Sequence, residues 1–384
     1  CGIKRHDPTQ ARIMQAVDHW LEINGLTDEQ AAMKIAEDKI DILVDLNGYT
    51  KDARTKVFAL RPAPIAVNWF GFPGTMGTPY HHYIVADGHI IPEGSEIYFT
   101  KRVMRLPCYQ PNDRKRAVSP RRPSRTEEGL PENAFVFCCL NGMQKLTPEI
   151  FQAWMAILKQ TSGSVLWLLG HTDDTRERIK QAAERAGVNP GRIVFAEKKP
   201  NPDHLARYPL ADLFLDTFPY GAHTTAADSM WMCVPILTIA GRGFAARVCT
   251  SLINAAGLPE MVCPSVEAYV ERAVQLAGDR AALDAARQKL MAGRETSLLF
   301  DTEALTRNLE LLYRQMWTDY ETAALPVPDL KNLDVYCEAG AALSVQGGAA
   351  LPDAAYMARY RQELSRQHQT YPILADARIW REPR

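Results

Sequence analysis

The 384-residue chain lacks several features that mark common classes of protein. Its longest clearly apolar run, residues 165–169, is too short to cross a bilayer, so we expect no membrane partner. It also lacks an excess of charge, because 44 basic residues against 45 acidic ones create no overall field that attracts nucleic acid. A content of 46% hydrophobic and 23% charged residues is typical of globular proteins and excludes a mostly disordered chain.

The eight cysteines include no C-x-x-C pair and do not alternate with histidines at the spacing of metal ligands. No signal peptide is recognisable at the start of the chain. These two observations predict a reduced protein of the cytoplasm. The first residue is Cys1 rather than methionine, and we expect the chain to be a piece of a longer protein.

Two motifs of nucleotide-binding proteins are absent. No Asp-x-Asp occurs, so nothing in the sequence indicates a metal ion on a nucleotide diphosphate, and we expect no metal or other cofactor. No G-x-x-x-x-G-K-[ST] loop occurs, which argues against a P-loop nucleotide triphosphatase. The basic stretch 114–122 has no interleaved aromatic residues, so a solvated linker is favoured there over a nucleic-acid site.

What the chain does contain is an alternation of apolar strands and amphipathic helices, which predicts an α/β fold with parallel sheet covered on both faces. A polar stretch that is poor in apolar residues divides it and indicates a linker. The predicted divisions are a first half (1–111), the linker (112–131), a second half (132–300) and a helical tail (301–384). The predicted strands are 42–46, 65–70, 83–86 and 103–106, then 135–140, 165–169, 193–195, 213–215 and 235–239.

Helices are predicted at both ends of the chain. An Asp-Pro start signal at residues 7–8 opens a helix whose apolar spacing continues to Leu21. Helical patterns dominate residues 266–320. Gly- and Ala-rich loops are predicted after Pro326, followed by an amphipathic helix around residues 356–366.

The most informative segment is residues 216–228, D-T-F-P-Y-G-A-H-T-T-A-A-D. It leaves a predicted strand, turns, and enters a helix near His223, so unpaired helix amides would lie at the carboxyl ends of the strands. Thr224 and Thr225 would add hydroxyl donors, and this combination suits a diphosphate. An ordinary helix cap with a hydrogen-bonded histidine explains the same residues, and the local chemistry leaves both interpretations open.

A second segment, residues 241–246 (G-R-G-F-A-A), follows a strand, opens a helix and matches the dinucleotide fingerprint G-x-G-x-x-A. That fingerprint normally occupies the first βα unit of its domain, whereas this segment follows at least four strands of the second half. We interpret it as a tight strand-to-helix turn.

Other candidate residues carry weaker signals. Lys145 follows a strand end and could neutralise phosphate, although most lysines are merely solvated. His204 and Arg207 share a helix face and could lie on the same crevice or on a plain surface. Residues 71–75, G-F-P-G-T, could let the backbone approach a ligand, but an ordinary loop fits equally well.

Five motifs occur in a fixed order along the chain, namely D-L-N-G-Y-T-K (45–51), A-L-R-P-A-P-I (59–65), G-F-P-G-T (71–75), S-V-L-W-L-L (164–169) and G-A-H-T-T (221–225). Together they resemble the catalytic region of the O-linked N-acetylglucosamine transferase/SPINDLY family, and its bacterial members most of all. The resemblance covers about residues 41–320. Five ordered motifs are far more specific than any one of them.

The resemblance implies a GT-B architecture, with a sugar nucleotide bound between two Rossmann-like halves. It implies an inverting, metal-independent reaction in which a Ser or Thr hydroxyl of a protein displaces UDP from UDP-N-acetylglucosamine. In the full-length protein, N-terminal tetratricopeptide helices would present the protein acceptor.

The resemblance also implies roles for individual residues. Lys145 matches the lysine that neutralises the leaving diphosphate, which is the one catalytic role carried over. The donor-binding matches are Gly71 and Pro73 beside the sugar, Lys199, His204 and Arg207 toward the uracil base, His223, Thr224 and Thr225 at the phosphates, and Asp228 at the ribose.

The chain departs from the family pattern in several places. The loop with the family's histidine and aspartate catalytic candidates would precede Cys1, so no general base is assigned to this chain. Gly142 stands where family members often have Gln. The intervening domain of animal members is absent, and the tail after Pro326 has no recognised counterpart.

The sequence therefore predicts a protein O-N-acetylglucosaminyltransferase that binds UDP-N-acetylglucosamine and protein acceptors. A protein O-fucosyltransferase that uses GDP-fucose, as in the SPINDLY branch, is the alternative within the family. A non-catalytic nucleotide-binding scaffold is the alternative from another class, and a nicotinamide dehydrogenase built on residues 241–246 is a distant third.

Overall fold

The computed structural model describes residues 8–345, 348, 351–376 and 378–381. The sequence-based remarks on Cys1 and Asp7 lie outside these residues. The strands are β1 (Ile42–Asp45), β2 (Ile65–Asn68), β3 (Tyr83–Asp87), β4 (Arg102–Leu106), β5 (Val136–Cys139), β6 (Val165–Leu169), β7 (Ile193–Ala196), β8 (Leu213–Leu215), β9 (Ile236–Ile239) and β10 (Val262–Cys263).

The α-helices precede, separate and follow these strands in the sequence. Short 3-10 turns, such as Met143–Lys145, occur between them. The α-helices are α1 (Pro8–Ala16), α2 (Asp28–Glu37), α3 (Thr55–Ala59), α4 (Pro148–Gln160), α5 (Asp173–Arg185), α6 (Asn201–Arg207), α7 (Thr224–Trp231), α8 (Phe244–Ala255), α9 (Val266–Gly278), α10 (Arg280–Gly293), α11 (Thr302–Glu321), α12 (Leu333–Val345) and α13 (Asp353–Thr370).

The chain folds into two compact units. The first unit holds the described residues of Cys1–Ala86, Glu93–Met104 and Glu310–Arg384, and the second holds Asp87–Pro92 and Arg105–Leu309. The segment 112–131, predicted as a linker, thus lies within the second unit, as do the first residues of the predicted tail.

The first unit contains a sheet with the strand order β1-β2-β3-β4. β1 pairs with β2 and β2 pairs with β3, both in parallel. Every residue of β2 and β3 is buried, and because alternate side chains point to opposite faces, both faces of these strands are covered.

The second unit contains a parallel sheet with the order β10-β9-β8-β5-β6-β7. Read from the other edge, this is the order of a doubly wound dinucleotide-binding fold, in which the chain returns to the centre after its third strand and continues outward on the other side. β5, β8 and β9 are buried along their whole lengths, so both faces of the sheet are covered. The predicted α/β fold class with parallel strands is confirmed.

The segment 112–131 is fastened to the second unit by buried polar contacts. Arg125 donates to the Asp212 carboxylate across 2.9 Å. Glu128 and Leu130 are buried. The polar composition that predicted a solvated linker therefore reflects side chains that pair with buried charges of the sheet domain.

Two sequence-based predictions of secondary structure are wrong, one for a helix end and one for a loop. Helix α1 ends at Ala16 instead of continuing to Leu21, and the apolar side chains beyond it, including Trp20 at 43% exposure, have no core to pack against. The loops predicted after Pro326 include helix α12. Its alanines favour helix, and its buried residues Ala339 and Leu343 pack in one cluster with α13.

Among the helices that the structure describes, none combines the length and apolar character needed to span a bilayer.

Candidate functional site

The candidate site of the second unit lies where β5 and β8 end side by side. These adjacent parallel strands run on either side of the point at which the strand order reverses. Asn141 follows the end of β5 and Asp216 follows the end of β8. Ligands of open α/β sheets bind in the crevice at the carboxyl ends of such strands.

Asp216 organises the loop that leaves β8. Its carboxylate is buried and accepts hydrogen bonds from the backbone N–H groups of Thr217 at 2.8 Å and Ala222 at 2.7 Å. The hydroxyl of Thr238 on β9 also donates to it, across 2.7 Å. Burial raises the pKa of Asp216, and these donors partly offset that rise because they favour the charged form. The loop 216–222 is therefore closed around one carboxylate.

Asn141 connects this loop to the strand end on the other side of the crevice. Its amide Nδ2 donates to Asp216 Oδ1 at 3.2 Å and to Thr217 Oγ1 at 2.9 Å. Its Oδ1 accepts from the hydroxyl of Thr225 in the first turn of α7. The start of α7 is thus held in place by a buried side chain from the end of β5.

Lys145 supplies a positive charge beside the same loop. Its Nζ donates to the carbonyl of Gly221 across 2.7 Å and lies 4.1 Å from the centre of the Tyr220 ring. Burial lowers the pKa of Lys145. The structure gives it no salt bridge with a carboxylate among the described residues, so its charge remains available to an anion at the start of α7.

His223, Thr224 and Thr225 lie at the N-terminus of α7. No side chain among the described residues caps this helix, so its first amides face outward with the positive end of the helix dipole. The Nε2 of His223 lies 3.3 Å from the carbonyl of Ala245, and burial together with the Lys145 charge lowers the pKa of His223 to about 4. His223 is therefore neutral at pH 7. Its one ring proton lies on Nε2 and is donated to the carbonyl of Ala245.

The α6 region places His204 and Arg207 together. Arg207 has no exposed surface; it donates to the carbonyl of Glu197 across 2.6 Å and to Nδ1 of His204. Burial and the Arg207 charge lower the pKa of His204 to about 4. Because Nδ1 accepts from Arg207, the proton of the neutral ring lies on Nε2. Arg207 thus fixes the tautomer of His204 and has no surface of its own for a ligand.

Lys199 and Arg207 share a carboxylate that the sequence did not single out. Glu128, from the segment 112–131, is buried; it accepts a hydrogen bond from Lys199 and lies 3.6 Å from Arg207. It compensates the charges of both residues. The Lys199 ammonium is therefore paired with Glu128.

Asp228, on α7, pairs with Arg116 of the segment 112–131. Burial raises the pKa of Asp228, and the Arg116 charge opposes this rise. Its predicted ribose contact therefore involves a carboxylate that is already bound to a guanidinium on one side.

Gly71 and Pro73 belong to the first unit, where they follow β2. A side chain on Gly71 would place its Cβ 1.9 Å from the carbonyl oxygen of Leu46, so the close passage of two backbones requires glycine there. Gly74 N–H donates to the carbonyl of Phe72 across 2.9 Å and tightens the same turn. This explains the G-F-P-G-T motif locally.

In the second unit, Lys145, His223, Thr224 and Thr225 come together around one loop. His204, Arg207 and Lys199 form a neighbouring group through Glu128. Sequence reasoning missed Asp216 and Asn141 as functional side chains, although their positions directly after two adjacent strands carried the signal. It also missed Arg116 and Glu128, because nothing in a polar, aperiodic stretch indicates partners 112 and 71 residues away.

The segment 241–246 forms a tight turn into α8. A Cβ on Gly241 would lie 2.5 Å from the Cβ of Ala246, so a side chain would not fit there. This packing gives Gly241 a structural role, whereas a side chain at Gly243 would meet no atom within 4 Å. Across the residues that the structure describes, no group of three or more His, Cys, Asp and Glu side chains is arranged to hold a metal ion.

The arrangement at the switch point, where the strand order reverses between β5 and β8, can bind an anion. It offers helix amides, the hydroxyl of Thr224 and one lysine, with two neutral histidines nearby. Such a set stabilises negative charge that develops on a phosphate group without changing protonation itself.

Comparison with known proteins gives concordant matches. Residues 4–109 and 114–309 match the sequence profile of glycosyl transferase family 41. A probable UDP-N-acetylglucosamine–peptide N-acetylglucosaminyltransferase SEC from Arabidopsis thaliana is 40% identical over 313 residues, which are 80% of this chain and 32% of that protein. A probable UDP-N-acetylglucosamine–peptide N-acetylglucosaminyltransferase SPINDLY from Solanum lycopersicum is 33% identical, and the match covers 84% of this chain and 35% of that protein. The chain spans about a third of the length of these relatives.

Solved structures show the same likeness. An O-GlcNAc transferase mutant from Thermobaculum terrenum has a TM-score of 0.76 and 32% identity, and the match covers 83% of this chain and 61% of that one. Anabaena HepE, in complex with UDP and glucose, has a TM-score of 0.52 and 10% identity over 80% of this chain and 89% of its own, which supports the fold alone.

Proposed function

We propose that this chain, which belongs to glycosyl transferase family 41 and has a GT-B fold, is the catalytic region of a protein O-N-acetylglucosaminyltransferase. The full protein would transfer N-acetylglucosamine from UDP-N-acetylglucosamine to Ser or Thr hydroxyls of proteins. The names of relatives that are 33–40% identical support this donor and acceptor.

The observation that carries the proposal is the convergence of Lys145 with the start of α7 at the switch point of the second unit. When an acceptor hydroxyl forms a bond to the anomeric carbon, the bond from that carbon to the diphosphate breaks and UDP leaves with added negative charge. Lys145 and the first amides of α7 stabilise that charge, and they do so more strongly in the transition state than before it. In this proposal the protein itself supplies the positive charge, so the reaction needs no metal ion.

The remaining residues hold the donor. Thr224 donates its hydroxyl to a phosphate oxygen, while Thr225, whose hydroxyl donates to Asn141, contributes its backbone N–H. His223 shapes the first turn, and Asp228 accepts from the ribose. The group at α6 lies on the base side: the Lys199 backbone and the His204 ring contact the uracil, while Arg207 orients His204. Gly71 and Pro73 contribute backbone beside the sugar. No residue of this chain is assigned as the general base.

Several parts of the proposal concern the whole protein. N-terminal tetratricopeptide helices would present acceptor proteins, and the reaction would occur in the cytoplasm. The cysteines within the described residues are free thiols, which supports a reducing compartment.

The substitution Lys145→Ala in the full-length protein tests the proposal. We expect transfer to fall by at least 100-fold, because the diphosphate loses its one side-chain cation, while the protein stays folded. The measurement is transfer of labelled N-acetylglucosamine to protein acceptors, with Lys159→Ala, an exposed lysine of α4, as the matched control. Unchanged turnover in Lys145→Ala would remove this role. Absence of turnover in the unsubstituted protein would favour a scaffold without catalysis.

A further inference from the structure

The ion pair between Arg116 and Asp228 joins two parts of the second unit that the donor site needs. Arg116 belongs to the segment 112–131, and Asp228 lies on α7, one turn after Thr224 and Thr225. The two side chains are 12% and 8% exposed. The pair therefore lies at the edge of the proposed phosphate site and is largely shielded from water.

Arg116 is held from the other side as well. Its Nη2 donates to Asn112 Oδ1 across 2.6 Å, while Nη1 donates to Asp228 Oδ1. Asn112 is itself fixed, because its backbone N–H donates to the carbonyl of Leu299 at 2.7 Å and its Nδ2 to the carbonyl of Gln110 at 2.9 Å. The guanidinium thus has a defined position before any ligand arrives.

This contact determines what the Asp228 carboxyl can do. Burial favours the neutral form of the Asp228 carboxyl group and so raises its pKa. The Arg116 charge favours the carboxylate and opposes that rise. The carboxylate is a strong acceptor at both oxygens, whereas the neutral acid carries a proton on one of them. Arg116 occupies Oδ1, and the structure shows no donor to Oδ2 among the described residues. One charged oxygen remains as an acceptor.

We propose that Arg116 is a positioning residue for ribose recognition: it keeps Asp228 charged and fixed, so that Oδ2 accepts a hydrogen bond from a ribose hydroxyl of the nucleotide. This inference rests on the proposed function. Arginine suits the role because two of its nitrogens bond Asp228 and Asn112 at once, which the single nitrogen of lysine cannot do in the same geometry.

The test compares UDP with 2′,3′-dideoxy-UDP by isothermal titration. In the unsubstituted chain we expect UDP to bind at least about tenfold more tightly, because the dideoxy compound leaves the charged acceptor unpaired. In Arg116→Ala this ratio should fall toward one at pH 7, through weaker binding of UDP and little change for dideoxy-UDP. A merely structural role would weaken both nucleotides alike.

A control variant sharpens the test. Arg121→Ala is the matched control, since Arg121 lies in the same segment, is 76% exposed and pairs with Glu127. It should leave the ratio unchanged. If Arg116→Ala does not fold, Arg116→Lys and Asn112→Ala replace it, with a smaller loss of the ratio expected.

The outcomes separate this inference from the proposed function. If the unsubstituted chain binds UDP but Arg116→Ala keeps the tenfold ratio, or binds UDP more tightly, the inference is overturned while the nucleotide site stands. A ratio of one in the unsubstituted chain also overturns it, because Asp228 then does not read the ribose. If UDP does not bind at all, the proposed function fails, and the inference fails with it.

Discussion

At the scale of single residues, Asp216 and Asn141 connect two strand ends to the first turn of α7. Together they fix the loop that carries Gly221 to Thr225. Their positions directly after β8 and β5 could be read from the sequence, because a polar residue that ends an apolar strand often lies at the ligand-binding edge. Their hydrogen-bond partners could not, since these depend on the turn between them.

Replacing the Asp216 carboxylate should cost stability. Asp216→Ala leaves two backbone N–H groups, the Thr238 hydroxyl and the Asn141 amide without their acceptor in a buried site. We expect the free energy of unfolding to fall by about 3 kcal/mol or more. Urea denaturation followed by circular dichroism measures this, with the exposed Asp18→Ala as control. A loss no larger than that of the control would show that water replaces the missing acceptor.

The two histidines of the site should make stability depend on pH. His204 and His223 have pKa values of about 4 in the folded protein and about 6.5 when unfolded. Between these values the unfolded chain binds more protons, so stability is full above pH 6.5 and falls as the pH drops toward 4. Each histidine contributes a slope of up to about 1.4 kcal/mol per pH unit.

The variant His204→Gln isolates one of these contributions. Urea unfolding at pH 7, 6 and 5 should show a shallower loss of stability than in the unsubstituted chain, because glutamine takes up no proton. His19→Gln, at an exposed position, should keep the original slope. Equal slopes in His204→Gln and in the unsubstituted chain would mean that His204 does not change its protonation on unfolding.

At the scale of elements, strands with continuous apolar runs were predictable and segments without a pattern were not. β6 and β8 have the predicted bounds, since buried strands of a parallel sheet leave no polar residue to blur their ends. Helix α12 was missed because alanine and glycine occur in both helices and loops, and its burial depends on α13. The contacts of the segment 112–131 were not predictable, because Arg116, Arg125 and Glu128 bind partners far away in sequence.

Asp212 is one attachment point of that segment, through Arg125, and its removal should lower the stability of the protein. Its carboxylate, 4% exposed, accepts from Arg125 of the segment, from the N–H of Val136 on β5, and from Arg280 and Arg287 of α10. Asp212→Ala should lower the free energy of unfolding by at least about 3 kcal/mol, because the buried N–H of Val136 and the partly shielded Arg125 and Arg287 lose their acceptor.

Asp284→Ala provides the comparison for this variant. Asp284 also meets Arg280 and Arg287 but is 53% exposed, and pairs of that kind contribute less than about 1 kcal/mol. Denaturation curves of the two variants, measured side by side, check the prediction. Equal losses would mean that water screens Asp212 as well.

At the scale of the whole molecule, most of the proposed donor-binding side chains belong to one compact unit. Lys145, His204, His223 and Asp228 all lie in the second unit, as do the residues that position them. The family resemblance had already assigned donor roles to these four residues, all of which lie in the predicted second half. The division of the chain at Glu310 was not predictable, because it falls within the continuous apolar pattern of α11.

Nucleotide binding should therefore protect the second unit selectively. We expect added UDP to slow amide hydrogen exchange at residues 141–145 and 216–228, and to leave α12 and α13 unchanged. Mass spectrometry of exchanged peptides measures this. GDP at the same concentration is the control: stronger protection by GDP would move the donor assignment to GDP-fucose, and protection confined to α12 and α13 would contradict the site.

The core shared by α12 and α13 has a practical consequence for anyone who shortens this protein. Its buried side chains come from both helices and from the turn that follows them, among them Tyr336, Leu343, Tyr360 and Trp380. Truncation at Pro352 would expose the apolar face of α12 to water, and an exposed apolar face promotes aggregation during expression. An expression clone should therefore either retain the whole hairpin through Trp380 or stop before Leu333.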